Sequence, residues 1–154
     1  MDEKQQAKLR RYAIWLLSRR DYSQKQLEQK LASKCEDSIY IAQLIAWCKS
    51  LGYIDDDRFC ALYVRRQLSK GLGKQRVLAD AYGKGIDRAQ LNSYLCQSEI
   101  DWFEQACNTY NKKFSDPLDK KNYQEKAKRQ RYMVGRGFGF DEIEYAMQAA
   151  QIGE

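Results

Sequence analysis

Apolar residues recur along this chain at the three-and-four spacing of an amphipathic helix, with few interruptions. Ala13, Leu16 and Leu17 fall at i, i+3 and i+4, with Arg20 at i+7. Ser23-Gln24-Lys25-Gln26 has the form of a capping box, and Leu27 and Leu31 follow it on one helical face. Ile41, Leu44, Ile45 and Cys48 line a third apolar face. Gly52 closes that helix, and Asp55-Asp56-Asp57 opens the next, where carboxylates favour the positive end of the helix dipole. The pattern predicts helices over 3–20, 24–34, 37–51, 55–69, 73–84, 87–98, 99–114, 120–136 and 140–151. Pro117 is the single proline, and nine glycines punctuate the chain, so the expected class is all-α.

The pattern repeats. A basic pair ends the first helix at Arg19-Arg20, returns at Arg65-Arg66, 46 residues on, and again at Lys112-Lys113, 47 further. Two positions before each pair stands a large residue: Leu17, Tyr63 and Tyr110. Leu44, Trp47 and Cys48 align with Leu91, Tyr94 and Leu95 at a shift of 47, and those with Ile143, Ala146 and Met147 at a shift of 52. The difference of five requires an insertion inside the third copy, and Ser115-Asp116-Pro117-Leu118-Asp119-Lys120-Lys121 has the composition for one. We read three tandem three-helix repeats, over 1–54, 55–98 and 99–154. A triplet this short has little core of its own, so neighbours are expected to share apolar surface in an elongated stack that can curve.

Charge sharpens this picture. The net charge is +6, which favours polyanionic partners, but its distribution says more. Residues 112–136 carry nine Lys and Arg against three acids, whereas 89–111 and 137–154 carry acids alone. The surplus thus sits on the first and second helices of each repeat. Stacked repeats would align Arg19, Arg20, Arg65, Arg66, Lys112 and Lys113 into a stripe. Lys70, Lys74 and Arg76 flank the turn after the second pair, and Lys128, Arg129 and Arg131 lie along the eighth helix. These twelve are the candidate partner-binding residues. A solvated helix face is the plainer explanation of any one run.

Catalytic chemistry finds little support. There is no histidine, which removes His-based triads and His-containing zinc sites. No C-x₂₋₄-C knuckle or G-x-x-x-x-G-K-[ST] loop occurs, and Gly71-Leu72-Gly73-Lys74 lies between two helical patterns as a turn. Neither cofactor nor metal is expected. The five cysteines, Cys35, Cys48, Cys60, Cys96 and Cys107, are spaced as reduced core thiols; Cys48 and Cys96 are expected to be buried on closing helices. Trp15, Trp47 and Trp102 are expected as core anchors. Tyr63, Tyr82, Tyr94, Tyr110 and Tyr132 are expected to pack between helices, with stacking on bases as the alternative. No apolar run approaches membrane-spanning length, and Met1–Gln6 is unlike a secretory signal, so the expected compartment is the cytoplasm.

Three stretches carry a resemblance. Leu16-Leu17-Ser18-Arg19-Arg20-Asp21-Tyr22-Ser23, with Leu27 and Lys30-Leu31, resembles the N-terminal signature of the RecX family of RecA modulators. Leu51-Gly52-Tyr53-Ile54-Asp55-Asp56-Asp57-Arg58-Phe59, with Tyr63, Arg66, Gly71, Gly73 and Gly85-Ile86-Asp87, is similar to that family's central motif. Lys126-Ala127-Lys128-Arg129-Gln130-Arg131-Tyr132, with Arg136-Gly137-Phe138, Asp141 and Ile143, resembles its C-terminal motif. The resemblance spans roughly residues 10 to 149. It implies a regulator of three tandem three-helix repeats, without cofactor or catalytic residue, that binds in the groove of a RecA–single-stranded DNA filament; the chain itself is expected to be a monomer. There it would limit ATP hydrolysis, strand exchange and coprotease activity. Residues alone leave open an autonomous DNA-binding module or a small carboxylate or lysine enzyme.

Overall fold

The computed structural model describes residues 1–152 and is built from helices. Among the described residues there are nine α-helices and no strand: α1 (Glu3–Arg19), α2 (Gln24–Ala32), α3 (Ser38–Ser50), α4 (Asp56–Ser69), α5 (Lys74–Ala81), α6 (Arg88–Gln97), α7 (Trp102–Lys113), α8 (Tyr123–Gly135) and α9 (Phe140–Ile152). They form three tandem three-helix repeats, as the periodicity predicts. None of the described helices is long and apolar enough to cross a membrane.

Local chemistry sets the helix starts. Asp2, Ser23, Asp37, Asp101 and Asn122 each accept the N–H of the third helical residue, and Asp2 and Ser23 complete full capping boxes with Gln5 and Gln26. Asp55 and Asp87 do the same for α4 and α6 through the N–H groups of Arg58 and Gln90. Each such cap contributes about 1 kcal/mol. The exceptions are α5 and α9, which Gly73 and Gly139 precede with no side chain to offer; at α9 the Gly139 N–H instead donates to Glu142 Oε1 at 2.9 Å.

The chain divides into two compact units, and the second triplet contributes to both. The first unit comprises residues 1–62 and 81–90. Its core joins Leu9, Ala13 and Leu16 of α1, Leu27 and Leu31 of α2, and Ile41, Leu44, Ile45 and Cys48 of α3, with Tyr22 and Ile54 from the connections. Each buried leucine or isoleucine contributes on the order of 1.5–3 kcal/mol. The turn after α5 docks against the start of α2. Ser23 Oγ caps its own helix and donates to the Lys84 carbonyl at 3.1 Å. A Cβ on Gly85, whose φ is +73°, would lie 2.8 Å from Ser23 Oγ. Asp56 accepts the Gln24 N–H at 2.9 Å.

The second unit comprises residues 63–80 and the chain from 91 onward. In it α7 packs against α9, and α8 against α9. Ala106, Tyr110, Met133, Phe138, Ile143, Ala146 and Met147 form its core. Here the start of α5 meets the turn between α8 and α9, the counterpart of the Ser23–Gly85 contact. Gly73 N–H donates to the Arg136 carbonyl at 2.8 Å, and Gln75 N–H to the Gly137 carbonyl at 3.1 Å. Backbone carbonyls thus do for α5 what cap side chains do for seven of the other helices. The approach is so close that a Cβ on Gly73 would sit 2.4 Å from the Gly137 oxygen. One on Gly137, at φ +101°, would meet Arg76 Cβ at 2.3 Å.

Several side chains stand where periodicity did not put them. Trp15 is 51% exposed, stacked on Tyr12, because Leu9, Ala13 and Leu16 already define the buried stripe of α1. Trp47 is exposed at the edge of the α3 stripe, with its ring edge-on to Tyr53. Trp102 is half-buried at the start of α7. Tyr82 is 86% exposed because the chain tightens into a 3₁₀ turn over Tyr82–Lys84 and loses the α-helical phase. Tyr63 and Tyr110 are buried as expected, and the Tyr63 hydroxyl donates to the Val77 carbonyl at 2.6 Å. Cys48 is buried, but Cys96 is exposed: α6 buries Leu91 and Leu95, and the next residue lies about 100° around the helix.

Candidate polyanion-binding surface

Arg19 and Arg20 close α1 in the first unit, and both are exposed. Arg19 lies over the Trp15 ring, 4.7 Å from its centroid, and Arg20 over Tyr22 at 3.8 Å. The aromatic faces hold the guanidinium planes in place while leaving them hydrated. Arg20 also donates to the Asp21 carbonyl at 2.9 Å, which further limits its motion.

The other ten candidates belong to the second unit. Arg65 and Arg66 are exposed on the last turns of α4, Lys70 follows that helix, and Lys74 opens α5. Lys112 and Lys113 are the last residues of α7, where cations suit the helix dipole. Lys128 and Arg131 are exposed on α8. None of these eight is ion-paired among the described residues. Arg76 is exposed but engaged: it pairs with Asp80 at 3.0 Å and donates to the Gly135 carbonyl at 3.0 Å.

Arg129 departs from the expected surface. It is 5% exposed and faces the core of the third triplet. Its Nε donates to Glu125 at 3.0 Å, and its Nη1 donates to the Tyr110 hydroxyl at 2.8 Å and the Asp116 carbonyl at 3.1 Å. The Phe114 ring lies 4.8 Å away. Burial acts to lower its pKa, but the hydrogen bonds to Tyr110 and Glu125 outweigh that and hold it above the ordinary arginine value. The side chain ties the 115–122 insertion to the repeat; it is not an exposed contact.

Folding gathers cations that are distant in sequence. Lys70, Lys112, Lys113 and Arg136 line one cavity of about 440 Å³ in the second unit, with Asn108 and Tyr132. Arg136 is not one of the twelve candidates, although it ends the basic run of α8 and belongs to the C-terminal motif. Its guanidinium reaches across to the Lys70 carbonyl. Gln105 and Thr109 bond to the same loop, through the carbonyls of Leu68 and Gly71 at 2.8 and 2.9 Å.

These features define an all-α protein of three tandem three-helix repeats that displays unpaired cations at its helix ends and turns. Comparison with known proteins places it more closely. The RecX first, second and third three-helix domains match residues 10–48, 55–95 and 99–147. Regulatory protein RecX of Vibrio cholerae is 37% identical over 148 residues, covering 96% of this chain and 97% of that protein. Regulatory protein RecX of Serratia proteamaculans is 35% identical, covering 86% and 91%. The crystal structure of RecX from Lactobacillus salivarius shares the fold, with a TM-score of 0.81 at 22% identity over 97% of this chain and 98% of that one. The chain belongs to the RecX family of regulatory proteins.

Proposed function

We propose that the chain regulates RecA by binding the RecA–single-stranded DNA filament and limiting its ATP hydrolysis, strand exchange and coprotease activity. In this reading it is a non-enzymatic, monomeric, cytoplasmic binder whose repeats over 1–54, 55–98 and 99–154 each present basic residues to the filament. Family membership over nearly the whole chain supports the regulatory role. The observation that carries recognition of a polyanion is the convergence of Lys70, Lys112 and Lys113 on one cavity, with no carboxylate lining it.

Arg19, Arg20, Arg65, Arg66, Lys74, Lys128 and Arg131 extend the same chemistry. Each exposed contact is individually modest and is screened by salt, so recognition is the sum of many. Arg76 takes part through its exposed face, and Arg129 serves the fold.

The test is RecA ATP hydrolysis on single-stranded DNA with this protein titrated in. Hydrolysis should fall with increasing protein, and less steeply as salt rises. Unchanged hydrolysis at a large molar excess of folded protein would overturn the reading.

A further inference from the structure

The wall of the Lys70–Lys112–Lys113–Arg136 cavity is built entirely from neutral and cationic side chains. Four carbonyls at the end of α4 and in the loop after it are already used: Gln105 donates to those of Leu68 and Leu72, Thr109 to Gly71, and Arg136 to Lys70. Helix ends normally present free carbonyls that would repel an anion. At the end of α4 these bonds offset part of that repulsion, and donors remain. Arg136 Nε is buried and has no hydrogen-bond partner among the described residues. A buried donor left unpaired is costly. The Tyr132 ring lies 5.2 Å from Lys113 Nζ and 6.0 Å from the Arg136 guanidinium carbon, and so braces two of the four cations.

We propose that this cavity is a phosphate-binding cradle that takes the backbone of a nucleic-acid strand. Lys70, Lys112, Lys113 and Arg136 are its donors, and the proposal rests on the reading of this face as a recognition surface. Its volume of about 440 Å³ falls among ligand pockets, which run to about 300–1,000 Å³. A single carboxylate from a protein partner would offset one of four cations. A strand supplies successive phosphates, so it can meet several at once. Leu68 and Tyr132 are the only large apolar side chains in the wall; the rest are polar, cationic or glycine. Arginine and lysine divide the work: the planar fork fixes one phosphate, and the ammonium groups adjust to the next.

The experiment is fluorescence anisotropy of a fluorescein-labelled oligothymidylate about twenty nucleotides long, with the full chain and no recombinase, across a salt series. The test variant is Lys112→Gln with Lys113→Gln. The control is Lys120→Gln with Lys121→Gln, an exposed pair in the insertion that removes the same charge away from the cavity. The cavity variant should bind about tenfold or more weakly, with its salt slope reduced by about 1.4 for two lost contacts, while the control changes little. Arg136→Lys, which keeps the charge and loses the fork, should also weaken binding.

Equal losses in cavity and control variants, or no loss in either, would overturn the cradle. RecA hydrolysis is measured in parallel. Cavity variants that bind the oligonucleotide normally but no longer restrain RecA would show that the cavity takes protein carboxylates, and would overturn the phosphate assignment alone. A parent that binds the oligonucleotide through the cavity yet leaves RecA hydrolysis unchanged would overturn the regulatory reading and leave the cradle standing.

Discussion

Replacing Arg129 by methionine separates the two roles that one run of basic residues on α8 contains. Methionine fills most of the space and packs on Phe114 and Tyr110, so the cavity contribution is small. What is lost is the hydrogen bonding. The Glu125 side chain is 33% exposed, and its half-solvated ion pair contributes up to about 1 kcal/mol. The Tyr110 hydroxyl belongs to a residue only 2% exposed and would be left without its donor, at a cost of about 1–2 kcal/mol. The Asp116 carbonyl belongs to an exposed residue and can turn to water. The net loss is about 2 kcal/mol, which in a chain of this length lowers the melting midpoint by roughly 4–8 °C. Lys128→Met and Arg131→Met, on either side and exposed, should each stay within about 0.5 kcal/mol of the parent. Thermal melting followed by helical circular dichroism measures all three, and RecA hydrolysis is assayed below the transition. Arg129→Met should melt early and inhibit normally, whereas Arg131→Met should melt normally and inhibit less well. An Arg129→Met protein that melted within about 1 °C of the parent while losing inhibition would refute this assignment.

The glycine contacts predict an equally sharp contrast: Gly73→Ala, whose Cβ would press on the Gly137 backbone, should lose about 2–3 kcal/mol in urea titration. Gly83→Ala, with nothing within 4 Å, should lose none. In native protein Cys96 should react with a water-soluble thiol reagent as fast as a free thiol. Cys48, fully buried and with its pKa raised by that burial, should wait for unfolding; mass spectrometry of the labelled peptides reads both. Reversing Arg65 and Arg66 to glutamate should weaken inhibition of RecA at every salt concentration without moving the melting midpoint, and Glu144→Lys should leave inhibition intact.

The sequence by itself determined the helices and their grouping. Caps are local: Ser23 with Gln26, or Asp101 with the Glu104 N–H, lie within one turn, so the residues that start each helix are adjacent in the chain. Apolar periodicity is local too, and the spacing of the basic pairs and closing helices exposed the three repeats and the insertion in the third. The tertiary structure alone decided which side chains each helix presents where. Arg129 reads as surface because its neighbours are basic, yet its acceptor at Tyr110 is 19 positions away, and only the packing of α7 against its own triplet brings it near. Trp15 and Trp47 read as core because they are large and apolar, but the buried stripes of α1 and α3 are already full without them. Gly73 and Gly137 look like ordinary turn glycines until their backbones meet. Arg136 looks like one more cation until that meeting sets it beside Lys70, Lys112 and Lys113. Pairings of this kind depend on distance in space between segments, a quantity that neither composition nor periodicity contains.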